Sequence, residues 1–290
     1  MKFFVFGSLN IDKVYSLENL PATGENVTAL HFEEHIGGKG LNQAISLKRA
    51  GAQVHLAGAV GFDGAMLTDY LKENGIDISF VDSLPCPTGH CVIQIDRNGK
   101  NQMLLFTGAN RLIKESFCDK VVSTLDEGDL ILMQYETSCT EYMAKKCSEK
   151  GVKIAFNPSP LSEGLINFPY EAVDYLILNE DEGRALTGET DPEKITLDLI
   201  EKRKVGSVVL TLGSDGSCYR DKSGYFTIPC VKANAVDTTG AGDTFTGYFL
   251  KILFETNDPA LAMRTAAKAS AVCVSKIGAA QTIPYRCELE

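Results

Sequence analysis

The segment Asp237–Phe245, Asp-Thr-Thr-Gly-Ala-Gly-Asp-Thr-Phe, contains residue types suited to phosphoryl transfer to a hydroxyl group. It lies between a strand-like segment and a helix-like one, predicted over 244–254. Gly240 and Gly242 lack a Cβ, so the backbone can turn tightly and present N–H groups to a ligand. At a helix start these groups have no intrahelical partner, so they can bind phosphate beside Asp243, a candidate base. A glycine-rich turn with Asp243 as an ordinary acid of the first helical turn explains the segment equally well.

A second group of polar residues lies near the N-terminus. The first strand-like segment ends just before Asn10 and Asp12, which places both at the carboxyl edge of a strand, where open α/β sheets bind ligands. The loop 37–40, Gly-Gly-Lys-Gly, opens a helix but lacks the phosphate-loop pattern. By itself this loop is most simply a flexible turn with a solvated Lys39. The alternative is that Lys39 and Asn42 join Asn10 and Asp12 in binding a polyol, whose hydroxyls need paired donors and acceptors.

Three further patterns each have an ordinary structural interpretation. Residues 179–182, Asn-Glu-Asp-Glu, read as a helix N-cap followed by acids, or as a holder of hydrated Mg²⁺ near nucleotide phosphates. Residues 211–216 form a plain hairpin turn or pass under a nucleotide. Residues 31–35 match the zinc motif H-x-x-E-H, but their flanks alternate as in a strand, whereas that motif needs a helix. G-x-G-x-x-G is absent, which argues against a Rossmann dehydrogenase.

The composition favours a globular protein and argues against several functional classes. The 290 residues suffice for one large α/β domain or two small ones, and the 44% apolar and 23% charged fractions are ordinary. The net charge of −10 argues against a surface for nucleic acids or anionic membranes. Nine cysteines without a CxxC pair indicate reduced thiols, and we find neither a signal peptide nor a membrane-spanning run. We therefore expect a cytoplasmic protein.

Strand-like and helix-like segments alternate over most of the chain, which predicts a mainly parallel, doubly wound α/β sheet. Helices are expected at 63–74, 138–150, 180–186, 193–204 and 258–275. Ser138 and Glu141 are typical of a capping box for the second of these. Residues 97–100, Arg-Asn-Gly-Lys, predict a type I′ hairpin turn between two strands that have no covering helix. Together with a strand at 27–36, this hairpin would form a small separate sheet, or lid.

Nine segments of the chain together resemble the ribokinase family of sugar kinases, nearly from end to end. These segments are Gly7–Asp12, Gly37–Ala44, Gly108–Asn110, Met133–Glu136, Asn157–Pro160, Asn179–Glu182, Thr211–Gly216, Val236–Phe245 and Lys276–Ala279. The two glycine motifs, one towards each end and in this order, are highly specific for the family. The resemblance implies a three-layer α/β/α fold in a single kinase domain, 1–290. It also implies a β-sheet lid with strands at about 11–16, 27–36 and 88–107, through which a homodimer often forms.

The resemblance also implies ATP-dependent phosphorylation of a sugar's primary hydroxyl and a role for each matching residue. Asp243 would be the catalytic base, and the anion hole would be formed by Gly240, Ala241 and Gly242. Sugar binding is implied for Asn10, Asp12, Gly38, Lys39, Asn42, Glu136 and Asp243. Nucleotide binding is implied for Asn179, Thr211, Gly213, Ser214, Gly216 and Gly242. Glu182 would hold Mg²⁺ through water, and a K⁺ site, mostly of carbonyl groups, is implied at Asp237, Thr239, Cys273, Lys276, Gly278 and Thr282.

The choice of sugar depends on finer features of the same motifs. The sugar-binding set and the segment Met133–Glu136 match the ribose pattern within the family, which implies transfer to the 5-hydroxyl of D-ribose. Family kinases for fructose, deoxyribose or a nucleoside are the alternative, and a non-catalytic sugar-binding sensor on this fold is a further one. The sequence stops at Glu290, soon after Ile283-Pro284, so we expect a C-terminal helix that is usual in the family to be missing or truncated.

Overall fold

The computed structural model describes residues 1–289, in which we find thirteen β-strands and eight α-helices. The strands are β1 (Phe3–Phe6), β2 (Asn10–Ser16), β3 (His31–Gly37), β4 (Val54–Val60), β5 (Asp77–Ser83), β6 (Gly89–Ile95), β7 (Asn101–Phe106), β8 (Leu130–Gln134), β9 (Lys153–Asn157), β10 (Tyr175–Asn179), β11 (Ser207–Thr211), β12 (Ser217–Asp221) and β13 (Gly224–Ile228). The helices are α1 (Lys39–Arg49), α2 (Ala65–Glu73), α3 (Glu115–Ser123), α4 (Thr140–Glu149), α5 (Glu180–Thr187), α6 (Pro192–Glu201), α7 (Ala241–Thr256) and α8 (Pro259–Cys273). None of the helices within residues 1–289 combines the length and the apolar character needed to cross a bilayer.

Nine strands form a large sheet in the order β13-β12-β11-β10-β9-β8-β1-β4-β5. Its pairs are parallel except at one edge, where β12 and β13 run antiparallel. The sheet has a hydrophobic core on each face, because its parallel strands are buried on both sides. Successive residues of β1 point to opposite faces, so Phe3 and Val5 pack in the first core and Phe4 and Phe6 pack in the second. Helices α1, α2, α7 and α8 contribute to the first core, and α3 to α6 to the second. The fold is therefore the predicted three-layer α/β/α arrangement.

A separate sheet of four strands, in the order β3-β2-β6-β7, lies beside the large sheet. Strand β2 pairs with β3 antiparallel and with β6 parallel, and β6 pairs with β7 antiparallel. Only the three residues 7–9 separate β1 from β2. This short connection holds the small sheet at the carboxyl edge of the large one, with the candidate residues Asn10 and Asp12 on β2.

The structure corrects the predicted start of α4. Ser138 and Glu141 do not form a capping box, and the residue before the helix, Cys139, adopts a left-handed conformation with φ of +63°. Ser138 Oγ donates to Ile113 O at 2.7 Å, and the Glu141 carboxylate accepts a hydrogen bond from the hydroxyl of Tyr135. Tertiary partners have replaced the local cap, because both side chains find acceptors or donors outside the helix.

The hairpin between β6 and β7 is real, but its turn is not of type I′. That turn needs a positive φ at both central residues, whereas in this loop only Gly99 has one, at +78°. Asp96 Oδ1 accepts hydrogen bonds from Asn98 N (2.8 Å) and Lys100 N (2.9 Å), so an aspartate side chain stabilises the loop. The lid strand expected from residue 27 begins at His31, and β5, β12 and α3 have no counterpart in the sequence predictions. Both histidines of the zinc motif lie on strand β3, so the helical geometry of that motif is not formed.

Candidate active site

The N-terminus of α7 presents free backbone donors beside Asp243. Gly240 is the N-cap residue, in the left-handed region with φ of +76°. Ala241 N donates to Thr238 O at 3.2 Å, so this group is already paired. The N–H groups of Gly242 and Asp243 belong to the first turn and have no acceptor within the helix. A Cβ added to Gly242 would meet no atom within 4 Å, so the space in front of this turn is open. Of the three residues that the resemblance implied for the anion hole, Ala241 has its N–H group paired within the turn, whereas Gly242 presents an unpaired N–H group, as Asp243 does next to it.

The buried carboxylate of Asp243 is surrounded by side chains from the start of α1. Asn42 Nδ2 donates to Oδ2 at 3.1 Å, and Gln43 Nε2 donates to Oδ1 at 2.9 Å. Lys39 Nζ lies 4.0 Å from Oδ1. Asn42 Oδ1 is buried without a hydrogen-bond partner and can therefore accept a hydrogen bond from a hydroxyl group of a ligand. The two glycine motifs thus form one site, because α1 packs against α7.

Lys39 is the cation at the centre of this site. Burial alone would lower its pKa, but the carboxylates of Asp243, Glu136 and Glu182 raise the pKa above its usual value. Lys39 is held there by Gly38, whose φ is +96° and whose Cβ, if present, would lie 2.7 Å from Ser8 O. Only glycine fits this turn, which fixes the backbone from which the Lys39 side chain extends towards Asp243.

The loop between β1 and β2 is joined to Glu136 and Asn110. The Ser8 hydroxyl donates to the Glu136 carboxylate, which also accepts from Lys39 N at 3.3 Å. Asn110 Nδ2 donates to Asn10 Oδ1 at 2.8 Å, and Asn110 also exchanges hydrogen bonds with the backbone of Leu9. These contacts fix Asn10 and Glu136 around the same end of β1 as Lys39.

Asp12 lies on β2, opposite His35 of β3 and Cys91 of β6. Burial, together with the nearby Glu136 and against the opposing effect of His35, raises the pKa of Asp12 to about 6. Asp12, Glu136 and Lys39 therefore form a compact group of charges with the polar ends of Asn10 and Asn42. Such a set of short acceptors and donors suits a ligand with several hydroxyl groups.

The first of the residues predicted to bind the nucleotide lie at the ends of two neighbouring parallel strands. Asn179 and Thr211 are paired in register at the carboxyl ends of β10 and β11. Asn179 and Glu182 form a capping box, with Glu182 N donating to Asn179 Oδ1 at 2.9 Å and Glu182 Oε2 accepting from Asn179 N at 3.0 Å. The ordinary interpretation of this motif is therefore realised in the structure. The turn containing Gly213, Ser214 and Gly216 follows β11, and a Cβ on Gly216 would collide with the backbone at residues 228–230.

The residues of the implied K⁺ site meet between the segment before α7 and the segment after α8. Asp237 Oδ1 accepts from Thr239 N at 2.9 Å, and its Oδ2 accepts from Gly278 N at 2.9 Å. Partial burial favours a higher pKa for Asp237, but these hydrogen bonds outweigh it and lower its pKa. Thr282 Oγ1 donates towards Gly278 O at 3.1 Å and lies 3.1 Å from Cys273 Sγ. Asp237, Gly278 and Thr282 are thus brought together, and carboxylate, carbonyl and hydroxyl oxygens are the kind of ligand that a hard cation prefers.

Five residues that received no role in the sequence analysis belong to the same network of contacts. Ser8, Gln43 and Asn110 contact the predicted residues Glu136, Asp243 and Asn10, respectively. Gln134 and Asn157 contact Gln43. All five lie inside the segments that resemble the family, and all are buried. Buried polar side chains in such a position are the signal by which the sequence indicates them.

The chain belongs to the pfkB family of carbohydrate kinases, whose family model matches residues 2–286. It is similar to the ribokinase of Haemophilus influenzae, with 32% identity over 98% of this chain and 95% of that protein. Among solved structures it resembles the ribokinase of Thermotoga maritima, with a TM-score of 0.91 and 30% identity over 100% of this chain and 98% of the other. The ribokinase of Arabidopsis thaliana in complex with ribose and ATP is also similar, with a TM-score of 0.87 and 28% identity over 99% of this chain and 97% of the other. The protein is thus a kinase of this family, and these relatives are ribokinases.

Proposed function

We propose that this protein transfers the γ-phosphoryl group of ATP to the 5-hydroxyl of D-ribose, giving ribose 5-phosphate and ADP. The observation that carries the proposal is the environment of Asp243. Its carboxylate contacts Asn42, lies 4.0 Å from Lys39 and is adjacent to free N–H groups at the start of α7. A base, a cation and an anion-binding turn around one point are the elements of phosphoryl transfer to a hydroxyl. The relatives named above, one of them bound to ribose and ATP, support ribose and ATP as the substrates.

In the proposed reaction, Asn10, Asp12, Asn42 and Glu136 bind the sugar hydroxyls. Asp243 accepts the proton of the 5-hydroxyl while the new oxygen–phosphorus bond forms and the bond between the γ-phosphorus and the β-phosphate oxygen breaks. The N–H groups at the start of α7 and the ammonium of Lys39 stabilise the charge on the transferred group.

We propose that Asn179, Thr211 and the turn with Gly213, Ser214 and Gly216 line the nucleotide side. Glu182 suits water-mediated contact with Mg²⁺, because it is buried and one of its carboxylate oxygens already accepts from Asn179. Asp237, Thr239, Cys273, Lys276, Gly278 and Thr282 are proposed to hold K⁺. Mg²⁺ would neutralise phosphate charge and K⁺ would order the anion-binding turn, since Asp237 lies just before it.

The experiment for the substrate is a coupled assay of ADP release with ribose, deoxyribose, fructose and adenosine, each with and without K⁺. We expect the highest kcat/KM for ribose. A higher kcat/KM for fructose or adenosine would overturn ribose as the substrate but leave a kinase of this family.

A non-catalytic sugar sensor is distinguished by the Asp243→Asn variant. This variant should bind ribose nearly as well as the wild type in calorimetry, while ADP release falls by about 10³-fold or more because the base is lost. A wild type that binds ribose without releasing ADP would instead identify a sensor.

We further propose that the small sheet is a lid over the sugar and also the contact surface of a homodimer, within a single domain. Strand β7 is an edge strand, and four consecutive apolar side chains on it, Met103 to Phe106, are between 43% and 69% exposed. An exposed apolar edge of this size is typical of an interface. Light scattering of the purified protein tests this point, and a monomer at all concentrations would exclude it.

A further inference from the structure

Gln43 lies at the centre of a buried chain of amide groups that ends on Asp243. Gln134 Nε2 donates to Gln43 Oε1 at 2.6 Å, and Gln43 Nε2 donates to Asp243 Oδ1 at 2.9 Å and to Asn157 Oδ1 at 3.2 Å. Asn157 Nδ2 in turn donates to Ile177 O at 3.0 Å. Gln43 and Gln134 are fully buried, and Asn157 and Asp243 nearly so. The chain links α1, α7 and the neighbouring strands β8, β9 and β10.

The hydrogen bonds fix the orientation of each amide group in this buried row. The carbonyl group of Ile177 is part of a parallel strand and cannot rotate, so Asn157 must turn its NH₂ group towards it and its Oδ1 towards Gln43. Gln43 must then present its own NH₂ group to Asn157, and the same group reaches Asp243. Gln134 satisfies the remaining carbonyl of Gln43. A flipped Gln43 would place an acceptor against two acceptors in a buried site, which is costly.

The neutral amide of Gln43 is a suitable hydrogen-bond donor to Asp243 if Asp243 acts as the catalytic base. A carboxylate that is free to rotate would meet the substrate hydroxyl in many orientations, whereas hydrogen bonds from Gln43 and Asn42 to separate oxygens fix its plane. An amide stabilises the ionised carboxylate without adding a positive charge in direct contact with it, so the carboxylate can still accept a proton.

We infer that Gln43 is a positioning residue for the reaction: held by Asn157 and Gln134, it fixes the orientation of the Asp243 carboxylate from which the acceptor hydroxyl loses its proton. The kinetic consequences of this inference rest on the proposed function, whereas the hydrogen bond between Gln43 and Asp243 is independent of it. Gln43 does not touch the substrate in this assignment, so its effect should appear in kcat and not in the KM for the sugar.

The main test compares Gln43→Met with Ser46→Ala. Methionine has nearly the length of glutamine but no donor, so it leaves little empty space. Ser46 is the matched control, because it is also fully buried on α1 and its Oγ donates to Thr244 O at 2.8 Å, yet it does not contact Asp243. We expect Gln43→Met to lower kcat about 10- to 100-fold, the range for one hydrogen bond to a charged group, with the KM for the sugar within about threefold of wild type. Ser46→Ala should lose thermal stability but keep kcat within about twofold. A kcat of Gln43→Met within twofold of wild type, or an equal loss in Ser46→Ala, would overturn the inference.

A second variant covers the case in which Gln43→Met does not fold. Gln43→Glu keeps the shape and places a carboxyl group against Asp243, so the two share one proton. With that proton the introduced carboxyl group can donate to Asp243 as the amide did. The activity of this variant relative to wild type should therefore increase as the pH is lowered from 8 to 6, and a ratio that stays constant or falls would contradict the positioning role.

A third measurement needs no substrate and separates this inference from the proposed function. A double-mutant cycle of Gln43→Met and Asp243→Ala, read by urea unfolding, should give clearly non-additive changes in the free energy of unfolding. Additive changes would refute the contact even if ribose is the substrate. Conversely, non-additive changes in a protein that phosphorylates no sugar would overturn the proposed function alone.

Discussion

The substitution Gly40→Ala has two opposite effects on stability, because Gly40 lies where the start of α1 packs against the loop between β1 and β2. Gly40 is in the first turn of α1, and alanine is favoured over glycine in a helix by about 1 kcal/mol. Against this, a Cβ at this position would lie 2.5 Å from Gly7 C and 2.6 Å from Ser8 N. Both of these are backbone atoms, so the contact cannot be relieved by rotating a side chain.

The distances decide which effect is larger. Ordinary contact begins at about 3.4 Å, so α1 and the end of β1 must separate by about 0.9 Å to admit the methyl group. Overpacking of this kind costs about 1–3 kcal/mol, more than the gain in helix propensity. We therefore expect a net loss of up to about 2 kcal/mol, which lowers Tm by up to a few degrees in a chain of this size. The displaced ends carry Ser8 and Lys39, so kcat/KM should fall about 100-fold, as for a misplacement of about 1 Å.

Differential scanning fluorimetry and the coupled assay of ADP release measure both effects, with Gly242→Ala as the comparison. A Cβ on Gly242 has no atom within 4 Å, so this helical position should keep or gain stability. Its methyl group would nevertheless enter the space proposed for the transferred phosphoryl group, so kcat should fall. A Gly40→Ala variant with unchanged Tm and with kcat/KM within threefold of wild type would refute the reasoning.

Three other predictions concern the lid, the cation and the sugar. Burial and the nearby Glu136 together raise the pKa of Asp12 to about 6, so the KM for ribose should increase about tenfold per pH unit below 6, and Asp12→Asn should abolish this dependence. A wild-type KM that is constant from pH 5 to 7.5 would contradict this prediction. Asp237→Asn should weaken activation by K⁺, since Asp237 joins the segment before α7 to Gly278; activity of the wild type that does not depend on K⁺ would exclude the proposed ion. Leu104→Lys on β7, where the side chain is 69% exposed, should convert the proposed dimer to a monomer in light scattering without lowering Tm; an unchanged mass would place the interface elsewhere.

Much of the large sheet could be predicted because its strands and helices follow local rules. Strand β1 is a continuous apolar run, and α6 and α8 begin at Asp-Pro pairs whose aspartates cap the helix in the structure. Prediction was wrong where a side-chain hydrogen bond replaced the expected cap or turn geometry. Ser138 binds the carbonyl of Ile113 instead of capping α4, and the side chain of Asp96, not a type I′ geometry, stabilises the hairpin turn.

For the candidate site, the sequence by itself supplied the chemical groups: the glycine turns, the acids and the lysine stand in motifs that are local in the chain. Their arrangement depended on the tertiary structure, because Gln43 and Asp243 are 200 residues apart and meet only where α1 packs on α7. The same packing places two amide groups, those of Asn42 and Gln43, in contact with the proposed base. Local sequence determines which donors and acceptors exist, but which of them are buried together is a property of the packed layers, since only there does an unpaired polar group become costly.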